Sequence, residues 1–218
     1  MRQRDPNARE NRTVIGCQTL TPIKDSDLRF RMLGVFPLVF FFAQAAHYWR
    51  IQQLGHMLWM CNIGDLLLAF GLFFRQPVLI RVAGIWMIPG FVIWFRFVVM
   101  EWGLFLSSAL AHVGGILVGM IALKKVGVNR ESWLYAFGWY LLVQVLSRLF
   151  TAPDLNVNLA HKIQPGFERV FSSYWQFWIT LAAATALVLW CLGAFFNWLW
   201  PPQSTTPTKL SSATTAEP

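Results

Sequence analysis

The sequence predicts an all-α, polytopic membrane protein that folds as a bundle of transmembrane helices. Of its 218 residues, 56% are hydrophobic and only 13% are charged, and the mean hydropathy is +0.47. The 19 Phe and 12 Trp residues exclude a disordered chain, because such chains are poor in large apolar side chains. A soluble domain of this length has a smaller, buried share of such residues, so the composition favours the membrane class.

Six apolar stretches are long enough to cross a bilayer. A hydrocarbon core about 30 Å thick needs roughly 20 mostly apolar residues per helix. Arginine, lysine or proline closes most of the stretches, and Pro37 and Pro89 predict local kinks. The predicted spans cover about 32–49, 54–74, 78–99, 102–123, 133–150 and 174–200.

The two ends of the chain are polar. Residues 1–31 form a basic segment that lacks the apolar stretch and small-residue cleavage site of a signal peptide. Residues 201–218 are rich in Ser, Thr and Pro, which predicts a disordered tail. With six spans, 13 of the 18 Lys and Arg residues fall on the side of the termini. The positive-inside rule therefore predicts cytoplasmic termini in the plasma membrane, or in the inner membrane of a Gram-negative cell.

Unusual polar residues gather in the outer half of the predicted bundle. Cys61 and His112 lie at matching depth, about 10–15 Å below the outer surface at a rise of ~1.5 Å per residue. Asp65 shares the helix face of Cys61 because the two are four residues apart. Gly115 and Gly119 share the face of His112, and small residues let helices approach closely, so this face is expected to look into the bundle.

A Cys and a His that meet inside a bundle can act as nucleophile and base. The imidazole would stabilise the thiolate, which would attack an acyl carbonyl. Asp65 would orient the imidazole or bond to a neighbouring helix. The alternative interpretation is structural, with Cys61 as a small apolar filler and His112 as an interhelical hydrogen-bonding group.

Five further polar residues at the outer side are candidate substrate-binding residues. In the outer loop, His161 and Lys162 could bind the phosphate of a lipid headgroup, or they could belong to a solvated loop. The candidates are His56, Arg148, Asn156, Asn158 and His161.

The sequence indicates no metal and no cofactor. The spacing of His, Cys and acidic residues matches no standard zinc site. A haem held by two of His47, His56 and His112 is the alternative, but no c-type attachment motif is present. The three cysteines, Cys17, Cys61 and Cys191, suggest no disulfide framework.

Six segments follow one another in a recognisable order: Trp59–Asp65, Gly84–Gly90, Ser108–Gly114, Leu155–Asn158, Lys162–Pro165 and Tyr174–Trp178. This order resembles the YwaF-like family of small integral membrane proteins, whose vertebrate relatives are acyltransferases that act on ether phospholipids. The resemblance covers about residues 50–195. It implies that Cys61 accepts the acyl group, that His112 is the base, and that the outer loop shapes a headgroup site.

Two functions of different classes fit these observations. The first is a lipid-directed acyltransferase or hydrolase that uses Cys61 and His112, with membrane lipids as its partners. The second is a non-catalytic accessory or assembly subunit that binds a membrane-protein partner. A transporter is less favoured because no repeated, helix-interrupting Gly or Pro is evident. A nucleic-acid partner is excluded because the basic residues are spread as topology signals and do not cluster on one face.

Overall fold

The computed structural model describes residues 25–101 and 106–202, and within these ranges all regular structure is helical. A π-helical turn, Leu110–Gly114, joins α5 to α6, and short 3-10 turns occupy Leu54–Leu58, Pro153–Leu155 and Val157–Leu159. The helices are α1 (Asp25–Met32), α2 (Val35–Arg50), α3 (Met60–Phe73), α4 (Pro77–Glu101), α5 (Leu106–Ala109), α6 (Gly115–Val126), α7 (Ser132–Phe150) and α8 (Tyr174–Leu199).

Within the described residues, four helical stretches are long and apolar enough to cross a membrane. They are Asp27–Arg50, Pro77–Val99, Leu106–Val126 and Tyr174–Leu199. The prediction of an all-helical protein with membrane-length apolar helices is therefore confirmed at this level. The six-span count and the cytoplasmic termini stay predictions, since α3 has only 14 residues, about 21 Å at 1.5 Å per residue.

The second predicted span, 54–74, differs most from the structure. Its first residues form a 3-10 turn, and α3 begins only at Met60. Trp59 is extended between the two, with φ −54° and ψ 135°. This break in the helix is held by a residue far away in the sequence. Asn158 binds the backbone on both sides of Trp59, through the Met60 amide and the Leu58 carbonyl.

The chain is helical before the first predicted span, because α1 begins at Asp25, within the basic segment 1–31. Pro37 stands in the first turn of α2, where its missing amide hydrogen costs no helical bond, so it requires no kink. Cys17, residues 102–105 and the tail 203–218 lie outside the described residues.

Helix α4 lies at the centre of the bundle and packs against α3, α6, α7 and α8, while α2 packs against α3. Fully buried side chains such as Leu68, Ile85 and Leu123 fill the space between these helices. The outward faces of α2 and α8 keep large apolar side chains exposed, including Phe42 (60%) and Trp198 (76%). Faces of this kind suit contact with lipid tails.

Candidate functional site

Cys61, Asp65 and His112 lie where α3, α4 and the π-turn before α6 meet. A Cβ built on Gly90 of α4 would lie 3.6 Å from Cβ of Cys61. One turn further along α4, the ring of Trp94 stacks on His112 with 4.8 Å between the ring centroids. Cys61 and His112 therefore border the same face of α4, one turn apart, and within the described residues no hydrogen bond joins them.

The contact between α3 and α6 fixes the depth of these residues. Oδ1 of Asp65 lies 2.6 Å from the position that a Cβ of Gly115 would occupy. Both helices run antiparallel to α4, so they run in the same direction. Cys61 precedes Asp65 by four residues and His112 precedes Gly115 by three. This register places Cys61 and His112 each about one turn outward from the contact, while their neighbours on α4, Gly90 and Trp94, lie one turn apart.

The ring of His112 is held in one orientation. Its Nδ1 lies 2.8 Å from the backbone oxygen of Ser108, which can only accept, so Nδ1 carries the hydrogen and Nε2 holds the lone pair. Trp94 covers one ring face and donates from Nε1 to Oγ of Ser108 at 2.8 Å. The ring sits in a π-turn, a rare element that often marks functional sites.

Asp65 does not orient this imidazole. Its side chain is 1% exposed, and within the described residues neither carboxylate oxygen has a hydrogen-bond partner. The orienting role predicted for Asp65 falls to the Ser108 carbonyl, because that oxygen is the one bonded to the ring. Cys61 is half-buried and is a free thiol.

Asn158 fixes the outer loop to the start of α3. Its Oδ1 accepts from the Met60 amide at 3.0 Å, and its Nδ2 donates to the Leu58 carbonyl at 2.7 Å and to Oγ of Ser147 at 2.8 Å. Gln144 of α7 also donates to the backbone oxygen of Asn158 at 2.6 Å. This residue, predicted to bind substrate, is thus occupied by contacts within the protein.

Asn156 organises the loop itself. Its Oδ1 accepts from the amides of His161 and Lys162, at 3.1 Å and 3.0 Å, and its Nδ2 donates to the Lys162 carbonyl at 3.1 Å. Asn156 and Asn158 both have positive φ, 43° and 52°. Asparagine tolerates the left-handed region better than most residues, which suits it to this tight loop.

Arg148 and His161 also connect the outer loop to the end of α7. Arg148 donates to the Ala160 carbonyl at 2.9 Å, and its guanidinium lies 5.2 Å from the ring centre of Tyr174 and 5.3 Å from that of Trp175. Nε2 of His161 lies 3.2 Å from Oγ1 of Thr151. The structure therefore brings four of the five candidate substrate-binding residues together, but as a framework that anchors the loop.

His56 lies in the 3-10 turn before α3. Its Nδ1 accepts a hydrogen bond from Nε1 of Trp59 at 2.9 Å, and its ring packs on Tyr48 with 5.3 Å between centroids. Only a neutral ring can accept at Nδ1. Partial burial agrees with this requirement, because it lowers the pKa of His56 below its ordinary value of 6.5.

Acidification is expected to weaken the fold through His56. Because the pKa is lower in the folded state, the unfolded chain binds more protons, and the free energy of unfolding falls as the pH drops through about 6.5. Urea unfolding at several pH values, followed by Trp fluorescence, should show a smaller pH dependence in His56→Gln than in the wild type. Equal pH dependence in the two proteins would contradict this prediction.

An open apolar pocket of about 220 Å³ lies between the outer loop and α8. None of the candidate catalytic residues lines it. Its walls are Leu159, Gln164, Phe167, Phe171, Phe177, Thr180, Leu181 and Ala184. Among the residues that the structure describes, no group of three or more His, Cys, Asp or Glu side chains could hold a metal ion.

Three residues that contact the candidate site could not be predicted from the sequence. They are Trp94, Gly90 and Ser147, which contact His112, Cys61 and Asn158. In the sequence they look like any other aromatic or small residue of an apolar helix. Trp94 precedes His112 by 18 residues and a change of helix, and no local pattern pairs them. The one available signal was that Trp94 lies at about the same predicted depth in its helix as His112 does in the next helix.

No family model, no curated protein and no solved structure matches this chain. The resemblance to the YwaF-like family therefore stays a prediction from the sequence. What the structure shows is an all-helical fold over residues 25–101 and 106–202, with four apolar helices of membrane-spanning length in these ranges.

Proposed function

We propose that this protein is a multi-pass membrane enzyme that transfers or hydrolyses acyl groups of lipids, with Cys61 as nucleophile and His112 as base. The observation that carries the proposal is the ring of His112. Its Nδ1 is committed to Ser108, which leaves Nε2 as the basic nitrogen of a ring that borders the same helix, α4, as Cys61.

The reaction would proceed in two balanced steps. Nε2 of His112 takes the thiol proton, and the thiolate attacks the acyl carbonyl, which forms a thioester on Cys61 and releases the lipid alcohol with the proton from His112. In the second step an acceptor alcohol or water gives its proton to His112 and attacks the thioester. The acyl group leaves with the acceptor, and Cys61 regains its proton.

The resemblance to the YwaF-like family supports the same assignment, because it implies an acyl-accepting Cys61 and a basic His112. It also favours a phospholipid as acyl donor. We give Asp65 no role in either step, because Ser108 already orients the ring of His112 and neither carboxylate oxygen of Asp65 has a partner within the described residues.

Acyl loading of Cys61 is the decisive test. Purified protein incubated with phospholipid carrying a radiolabelled acyl chain is expected to gain a hydroxylamine-sensitive label. The label should vanish in Cys61→Ser and persist in Cys191→Ser, a matched control because Cys191 is also a free cysteine within a helix. Undiminished labelling of Cys61→Ser would overturn the nucleophile assignment.

A non-catalytic role is the second candidate, and the outer loop favours it. The side chains of Asn156, Asn158, Arg148 and His161 are all bonded within the chain, as expected of a framework that supports an assembly. An accessory or assembly subunit should co-purify with a membrane-protein partner in fixed stoichiometry. Cys61→Ala should leave that complex intact, whereas the enzyme requires Cys61.

A further inference from the structure

Two neighbouring polar side chains of α3 are buried with unpartnered oxygen atoms. Asn62 and Asp65 are each 1% exposed. Within the described residues, Oδ1 of Asn62 and both carboxylate oxygens of Asp65 have no hydrogen-bond partner. The two residues are three apart on a helix, so they share a face and lie within reach of one another.

The amide of Asn62 has a fixed orientation. Its Nδ2 donates to the backbone oxygen of His56 at 3.0 Å. Exchange of the amide oxygen and nitrogen would break this bond, so the unpartnered atom is an oxygen. The pair therefore presents three acceptor atoms and no donor.

Within the described residues, the helices around Asp65 provide no countercharge. Gly115 of α6, which has no side chain, lies against Oδ1, and a Cβ there would also meet Met87 of α4 at 3.2 Å. The titratable groups that face this region are Tyr48 from α2, which lies beside the side chain of Asn62, Cys61 from α3 and His112 from the π-turn. Within the described residues none of them hydrogen-bonds to the carboxyl group.

An ionised carboxylate without a partner is very costly in such surroundings, whereas a neutral acid that donates a hydrogen bond is not. One added proton would give the pair its missing donor. It would form a hydrogen bond between Oδ2 of Asp65 and Oδ1 of Asn62, and two of the three unpartnered oxygens would then have a partner. Buried polar groups are almost always hydrogen-bonded, so a bound proton explains how these oxygens can be buried.

We propose that Asn62 and Asp65 form a buried proton-binding site, in which Asp65 is a neutral carboxylic acid whose hydroxyl donates to Oδ1 of Asn62. The ligand is a single proton. The site is distinct from the acyl-transfer proposal, because it requires neither Cys61 nor His112. It gives the α3–α6 contact a protonated group at the depth of the bundle core.

Infrared spectroscopy of the full-length protein in lipid nanodiscs tests this site directly. The wild type at neutral pH should show the carbonyl band of a protonated carboxylic acid. The band should disappear in Asp65→Asn and shift to higher frequency in Asn62→Leu, because the acid there loses its hydrogen-bond acceptor. Asp27→Asn is the matched control, since Asp27 is ion-paired with Arg75 at 3.4 Å and should contribute no such band.

Two outcomes would overturn the proposal. The first is an acid band that is absent from the wild type or unchanged in Asp65→Asn. The second is a melting temperature that rises when sodium replaces choline in the wild type but not in Asp65→Asn, which would show an ionised Asp65 that binds a cation. Asp65→Asn should fold, because its amide can donate to Asn62 as the acid does, and its failure to fold would also count against the site.

Discussion

Replacing Asn158 by alanine is expected to lower the free energy of unfolding by several kcal/mol. The substitution leaves the Met60 amide, the Leu58 carbonyl and the Ser147 hydroxyl without their partner. Each orphaned buried polar group costs about 1–3 kcal/mol. Alanine must also adopt a φ of 52°, which adds strain. Unfolding in mixed micelles, followed by Trp fluorescence, measures the loss.

Asn156→Ala is the matched control for this prediction. Asn156 has the same residue type, a similar positive φ and three hydrogen bonds, but all its partners lie five or six residues away within the loop. We expect a much smaller loss. Asn158→Gly separates the two causes, because glycine relieves the strain and still removes the hydrogen bonds. Equal losses in Asn156→Ala and Asn158→Ala would contradict the anchoring role of Asn158.

Replacing His112 by glutamine is expected to slow acylation of Cys61 by roughly 10²–10⁴-fold, the usual contribution of a general base. Glutamine keeps polar atoms near Ser108 and Trp94 but cannot take the thiol proton. The rate of acyl loading, measured as a function of pH, gives the result. The acid limb of the pH profile, which reports the base, should vanish in the variant.

Trp94→Phe is the control for a merely structural effect of His112. It keeps an aromatic ring against the imidazole but removes the bond to Ser108, so it disturbs packing without removing the base. We expect it to lower the rate modestly and to keep the shape of the pH profile. A folded His112→Gln protein with the wild-type rate and pH profile would overturn the role of His112 as base.

The start of α3 illustrates which parts of the fold could be predicted. Apolar runs are local in sequence, so the positions of the long helices followed from composition and length. The start of the second helix did not, because Asn158 sets it from 98 residues away through the Met60 amide. A long-range hydrogen bond of this kind leaves no local signal at residues 54–58.

The candidate site divides in the same way. The sequence identified Cys61, Asp65 and His112 as polar groups at bilayer depth, because such residues are costly there and therefore rare. It could not show that Ser108 orients His112, since the ring's own turn is a π-turn whose backbone geometry differs from that of an α-helix. It also assigned Asn158 to substrate binding, while the structure bonds its side chain to three partners within the chain.

The sequence by itself determined the class of this protein, an all-helical chain with apolar helices of membrane length, and the few residues at which its chemistry should be sought. The tertiary structure decided which of these residues are engaged and which are not. The side chain of Asn158 is hydrogen-bonded at both its oxygen and its nitrogen, whereas the carboxylate oxygens of Asp65 are buried without a partner among the described residues. The physical reason is that apolar length is a property of one segment, but hydrogen-bond satisfaction is a property of pairs that only folding brings together.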